Sequence, residues 1–218
     1  MNKNLIPVLV AGYPSLDEFK SILKKLDKYV DTMIIAMPFA DSIIEGEVIY
    51  KANNEVLAKG ISIDDIINSL LEVRLCIKAK LIFKAYANTI YAYDSAKFIS
   101  LMHKLDIQAL MVNDLPYEEN AEFIDELNKY DIELINTIAT LDEERKKMII
   151  DAARHYIYYL PSSEKIKDEI EDIKRRKDLT ILMSESELAY QYADRILASK
   201  DMLTMIQKDR IDDYFKEF

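Results

Sequence analysis

The sequence predicts an α/β fold, a TIM-type (β/α)8 barrel, on three observations. Short apolar runs alternate with longer amphipathic stretches from end to end, the pattern of repeated βα units around a parallel sheet. Eight such runs can be counted, and no linker, low-complexity tract or short-period repeat interrupts them, so residues 1–218 read as one barrel domain. At 218 residues the chain sits at the short end of what eight units need.

The strands are expected near Leu5 to Val10, Thr32 to Met37, Lys80 to Ala85, Ala109 to Asn113, Glu133 to Ile138, Tyr156 to Leu160, Thr180 to Met183 and Arg195 to Ala198. Helix starts are marked by Ser15-Leu-Asp-Glu18 and Thr140-Leu-Asp-Glu143, both of which fit a capping box in which hydroxyl and carboxylate satisfy free amides. The spacing of Phe19, Ile22, Leu23 and Leu26, and of Ile63, Ile66, Ile67, Leu70 and Leu71, puts one apolar stripe on each helix, as outer-ring helices packed on strands require. In such a barrel the working residues belong in the loops that follow the strands.

Composition narrows the function classes. A formal net charge of −10 disfavours nucleic acid, which is bound by clustered Lys and Arg. The basic run Lys174 to Lys177 reads as a solvated last helical turn with cations at the negative dipole end. A lone cysteine, Cys76, cannot form an internal disulfide and is expected to pack as a small apolar residue in a reducing compartment. No apolar segment is long enough to cross a bilayer and no cleavage site follows the N-terminus, so a cytoplasmic location is expected, with no membrane partner. His103 and His155 fall away from the strand C-termini and read as structural, no His or Cys stands near Glu185 and Glu187 to complete a metal set, and Met202 and Met205 read as core-facing helix.

Taken in order, the loops carry Pro7-Val-Leu-Val-Ala-Gly-Tyr-Pro14, Pro38-Phe-Ala-Asp41 through Glu45-Gly46, and Glu55-Val-Leu-Ala-Lys-Gly60. They continue with Tyr86-Ala-Asn88, Ile90-Tyr-Ala-Tyr93, Val112-Asn-Asp-Leu-Pro-Tyr-Glu-Glu119 and Ile157-Tyr-Tyr159. This ordered set, over roughly the first three quarters of the chain, resembles the tryptophan synthase α-subunit family. The resemblance implies cleavage of indole-3-glycerol phosphate to indole and glyceraldehyde 3-phosphate, no cofactor, and a β-type partner subunit that receives the indole. That chemistry needs a carboxylate to shuttle protons, a second carboxylate for the indole N–H, an apolar slot for the ring and a nest of amides for the phosphate.

Matched residue by residue, the apparatus is incomplete. The position of the general acid/base, four residues before Pro38, is Ile34, which cannot move a proton; such catalysis typically contributes a factor of about 100 to 10,000. The second carboxylate matches Glu45, and the supporting tyrosine matches Tyr158. Val8, Lys84, Tyr86, Met111 and Asn113 match ligand-lining positions, with Lys84 standing where the family has an apolar side chain; an ion pair with Glu45 or Asp114 is the reading favoured over a reactive amine. Pro38, Phe39, Asp41, Asp114 and Pro116 match the loops that face or communicate with the β subunit.

The phosphate cradle is the sharpest departure. The only glycines are Gly12, Gly46 and Gly60, so the tight amide nests that barrels build after strands seven and eight lack their usual residue. The loops after strands six to eight are shortened: Pro161-Ser-Ser-Glu164 follows the sixth, and the family's glycine pair after the seventh is replaced within Met183-Ser-Glu-Ser-Glu187. A carboxylate there repels a phosphate, and Glu185 or Glu187 is expected to serve its own helix N-terminus. Three functions follow: a relative with lost or reduced lyase activity that still binds or regulates a β-type partner, an active lyase with the acid/base relocated to Glu45 and Tyr158, or a different small-molecule activity in the barrel mouth.

Overall fold

Eight parallel strands close into a barrel in the order β1 to β8, with β1 paired to both β2 and β8. The computed structural model describes residues 4–112, 114–140, 142–161 and 165–216, the side chain of residue 122 excepted. The first half runs β1 (Leu5–Val10), α1 (Leu16–Leu26), β2 (Thr32–Ala36), α2 (Glu47–Ala58), α3 (Ile63–Arg74), β3 (Lys80–Ala85), α4 (Ala87–Tyr93), α5 (Ser95–Lys104) and β4 (Ala109–Val112). The second half runs α6 (Ala121–Asn128), β5 (Glu133–Ile138), α7 (Glu143–Ala152), β6 (Tyr156–Tyr159), α8 (Ile166–Arg176), β7 (Thr180–Ser184), α9 (Glu187–Tyr192), β8 (Arg195–Ala198), α10 (Lys200–Gln207) and α11 (Ile211–Tyr214).

Because successive strand side chains point to opposite faces, each strand feeds two cores. Ile6, Val8, Ile34, Ala36, Ile82, Ala109, Met111, Ile135, Leu182 and Leu197 fill the barrel interior, with Tyr156 and Tyr158 packed against them. The alternate residues, among them Leu9, Ile35, Phe83 and Leu110, face outward onto Phe19, Leu23 and Leu26 of α1 and Ile66 and Leu70 of α3. Each such fully buried aliphatic side chain contributes about 1.5–3 kcal/mol of transfer free energy, which is what makes the alternation so readable. All eight expected strands form, with ends shifted by a single residue or not at all within the described residues.

The caps differ from expectation in detail. Ser15 accepts from the Glu18 amide, and the Glu18 carboxylate takes the Ser15 hydroxyl rather than its amide. At α7 the cap is Asp142, which accepts from the Arg145 amide, while Thr140 instead takes the Asp142 amide; the carboxylate, two residues closer to the helix, reaches the free amides first. A complete box does form at α3, between Ser62 and Asp65. With few glycines available, the turns following α5, α6 and α10 place Asp106, Asp131 and Asp209 at φ of 54°, 56° and 51°, the left-handed region that aspartate tolerates better than most side chains. Cys76, expected to be packed, is exposed, because the turn after α3 gives the buried position to Ile77. Met202 is fully buried as expected, and Met205 partly so. Among the described residues no helix is long and apolar enough to cross a membrane.

Candidate functional site

At the C-terminal mouth of the barrel, two side chains, Lys84 and Tyr86, converge on the Glu45 carboxylate. Lys84, the penultimate residue of β3, points inward at the level of Ala36 and Met111, its register neighbours. Its Nζ lies 2.7 Å from Glu45 Oε2, and the two side chains keep only 17% and 15% of their exposure. Tyr86 donates its hydroxyl to Glu45 Oε1 at 2.9 Å. Glu45 itself comes from a short 3-10 turn, Ile43–Glu45, after β2. Gly46 at φ +96° then lets the chain reverse into α2, a conformation that a side chain would strain.

Phe39 closes the side of this cluster: its ring stacks on Tyr86 with centroids 4.1 Å apart and planes 20° from parallel. Its position is held by Asn53 of α2, whose Oδ1 accepts the Phe39 amide at 3.2 Å while its Nδ2 donates to the Ser42 hydroxyl at 2.9 Å and to the Ile49 carbonyl at 3.0 Å. The buried asparagine thereby ties the loop carrying Pro38 to Glu45 onto α2. Beneath the cluster lie Val8, Met111 and Ile34, the last with no exposure and with Val8 and Ile82 as register neighbours. Position 34 is therefore a barrel-core residue facing the same interior as the functional groups, without a titratable atom.

Tyr158, in β6, places its hydroxyl 2.6 Å from the Ser184 hydroxyl at the end of β7. Burial pushes the Tyr158 phenol above its ordinary value, the Ser184 contact opposes this, and the negative charge of Glu45 adds to it. Tyr158 is thus electrically coupled to Glu45 but hydrogen-bonded away from it. The sequence offered two partners for Lys84, and Glu45 is the one used; Asp114 accepts the Ala87 amide at 2.6 Å and caps the approach to α4 instead. Asn113 lies outside the described residues.

A second feature of this face is apolar. Beside exposed Asp41, Ile43 and Ile44 keep 65% and 94% of their exposure, far more than large aliphatic side chains normally do. Asp114 and Pro116, on the loop after β4, are also exposed. Pro38 is buried and Phe39 half-buried, so these two of the five expected partner contacts serve the loop's own packing.

A family model described as tryptophan synthase alpha chain matches residues 1–167. The chain belongs to that family. The tryptophan synthase alpha chain of Campylobacter jejuni subsp. doylei is 26% identical over 95% of this chain and 90% of its own length. That of Maridesulfovibrio salexigens is 34% identical over 72% of this chain and 62% of its own. Among solved structures, tryptophan synthase subunit alpha from Campylobacter jejuni superposes with a TM-score of 0.86 at 25% identity, covering 99% of this chain and 94% of that one. Tryptophan synthase from M. tuberculosis, at 18% identity, shares the fold with a TM-score of 0.89. The family model stops at residue 167, whereas the match to the Campylobacter jejuni subsp. doylei chain covers 95% of this chain and the structural likeness 99%, through β7 and β8.

The last quarter holds a cluster that local sequence spacing does not announce. Glu185, in the turn after β7, does not cap α9; Ser186 does, accepting from the Ala189 amide at 3.1 Å. Glu185 Oε1 instead accepts the hydroxyls of Tyr190 at 2.7 Å and Tyr214 at 2.9 Å. Burial first, and then the adjoining carboxylate, pushes both phenols well above the usual range; for Tyr214 the charge and the hydrogen bond both act in that direction. A carboxylate five and 29 residues from its donors leaves no local spacing to read. Glu187 lies in the first turn of α9, where its charge suits the helix dipole as expected.

Proposed function

We propose that this tryptophan synthase α-type chain has given up cleavage of indole-3-glycerol phosphate and acts on a β-type subunit as a binding or regulatory partner. The observation that carries the first half is the Lys84–Glu45–Tyr86 cluster above Ile34. One carboxylate is engaged by an ammonium 2.7 Å away and a phenol 2.9 Å away, and the position matched to the acid/base is a fully buried isoleucine. Both oxygens of that carboxylate are thus occupied, and an ammonium in the ring slot would have to be desolvated by an indole. Glu185, held by two tyrosines after β7, puts a negative charge in the region where barrels commonly bind phosphate, which disfavours a phosphorylated substrate.

The second half rests on exposed Asp41, Ile43 and Ile44 after β2 and exposed Asp114 and Pro116 after β4, apolar and polar side chains at the same end of the barrel of the kind partner surfaces use. Mixing the purified chain with a cognate β subunit tests it: a complex by sedimentation, or a changed rate of tryptophan formation, is expected. Observing no complex and no change in that rate would contradict the partner reading. A surviving lyase is the second reading, favoured by the influence of the Glu45 charge on Tyr158. It requires indole release that falls in Glu45→Gln.

A further inference from the structure

The opposite end of the barrel holds a cavity of about 600 Å³, between the N-terminal ends of β3 and β7. This is within the range of small-molecule sites, roughly 300–1,000 Å³. Its wall contains both histidines of the chain, His103 and His155. It also contains Arg74, Lys78, Lys80 and Arg154, against the carboxylates Asp106, Asp131 and Glu133. For a protein of net charge −10 this is an inverted balance, and the hydrogen bonds tilt it further.

All three carboxylates are already engaged. Glu133, 4% exposed, accepts the amides of Arg154, His155 and Tyr156 at 3.1, 2.7 and 3.0 Å on one oxygen and faces His155 Nδ1 at 3.0 Å with the other. Asp106 pairs with Arg74 at 3.1 Å, and Asp131 pairs with Arg154 at 2.5 Å. The donors are in surplus. Among the described residues, the ammonium groups of Lys78 and Lys80 and the amide of Gln108 make no hydrogen bond or ion pair. The Nδ1 contact of His155 with a buried carboxylate leaves its Nε2 for the cavity.

The frame around these donors is firm. Asp27 Oδ1 takes the amides of Lys78 and Ala79 at 2.8 and 2.7 Å, and the Lys80 amide bonds the Asp31 carbonyl at 2.8 Å. Lys78 and Lys80, two residues apart across the bend that enters β3, both line the cavity. His103 lies against Tyr130, ring centroids 5.1 Å apart and planes tilted by 36°, and both line the cavity.

We propose that the N-terminal mouth of this barrel binds a small organic or inorganic molecule bearing two or more oxyanion groups, held by Lys78 and Lys80 with Gln108, His103 and His155 at its edge. Donors in surplus around a preformed concavity are what such a ligand needs, because burying its charges costs free energy unless each is paired. The site lies at the far end of the barrel from the Lys84–Glu45 cluster, so it stands whether or not the lyase reaction survives.

The chain's two histidines make the test direct, since their imidazole C–H resonances report on this cavity alone. Pyrophosphate and citrate serve as separate probes, one a phosphate source and one a carboxylate source, titrated against the full-length protein by NMR and calorimetry. Saturable binding of either probe, with both histidine resonances shifting, is the expected result, and the probe that binds names the class. Lys78→Glu/Lys80→Glu should weaken that binding at least about tenfold. The same charge change at the other end of the barrel, Lys51→Glu/Lys200→Glu, should weaken it less than threefold. Unmoved histidine resonances at millimolar concentrations of both probes would overturn the proposal, as would equal weakening by the two double variants.

Discussion

Breaking the Lys84–Glu45 pair from each side, and then from both, distinguishes a structural clamp from a reactive amine. The pair lies 2.7 Å apart with 17% and 15% of side-chain exposure remaining, close to the buried limit in which removing one partner costs about 3–5 kcal/mol. The residual exposure lowers this to about 2–3 kcal/mol for Glu45→Leu, which strands an ammonium, and for Lys84→Met, which strands a carboxylate. In the double variant both charges leave together. Its cost reduces to the lost Tyr86 hydrogen bond, about 1 kcal/mol, partly offset by apolar contact with Val8 and Met111. The coupling free energy is then about 2 kcal/mol or more. Urea unfolding of the four proteins, with equal slopes as the check on two-state behaviour, measures it. Additive single effects, or single variants each costing under about 0.5 kcal/mol, would refute the clamp.

Further outcomes follow from the same reasoning. Ile34→Glu should destabilise the barrel by several kcal/mol, about 3 or more, because a carboxylate enters an interior of Val8, Ile82 and Met111; thermal unfolding at neutral pH measures this. Tyr158, Tyr159, Tyr190 and Tyr214 hold their protons to higher pH than an unfolded phenol does. The stability each supplies is therefore complete below pH 10 and is lost as pH rises through the folded value. The loss from one such group is about 1.4 kcal/mol at pH 11, and Tyr214→Phe should lose less between pH 9 and 11 than the parent. Asp209→Ala should lower stability by about 1 kcal/mol because alanine is strained at φ 51°, while Asp209→Gly holds or raises it; denaturant midpoints decide.

Legibility followed the range of the interaction. The strands could be placed to within a residue because each alternates between two apolar cores, a pattern repeated every second position and paid in burial. The Glu45–Lys84 pairing was half legible: a cation at an inward strand end demands a carboxylate, but only the fold chooses Glu45 and sends Asp114 to the Ala87 amide. Of Glu185 and Glu187, the two offered for the helix N-terminus, Glu187 takes that place, whereas Glu185 goes to Tyr190 and Tyr214, donors brought to it by α9 and α11. The histidines were placed correctly away from the strand C-termini, yet nothing in sequence joins residues 78, 80, 103 and 155. Only closure of the barrel gathers the N-terminal ends of β3 to β7 around one cavity.

The most direct measurement is indole release from indole-3-glycerol phosphate by the purified chain, alone and with a cognate β subunit, beside an α chain that carries a carboxylate at the position matched to Ile34. We expect a rate at least about a hundredfold to ten-thousandfold lower than that of the carboxylate-bearing chain, the range set by losing one general acid/base. A comparable rate, abolished by Glu45→Gln, would contradict the assignment of this barrel as a partner rather than a lyase.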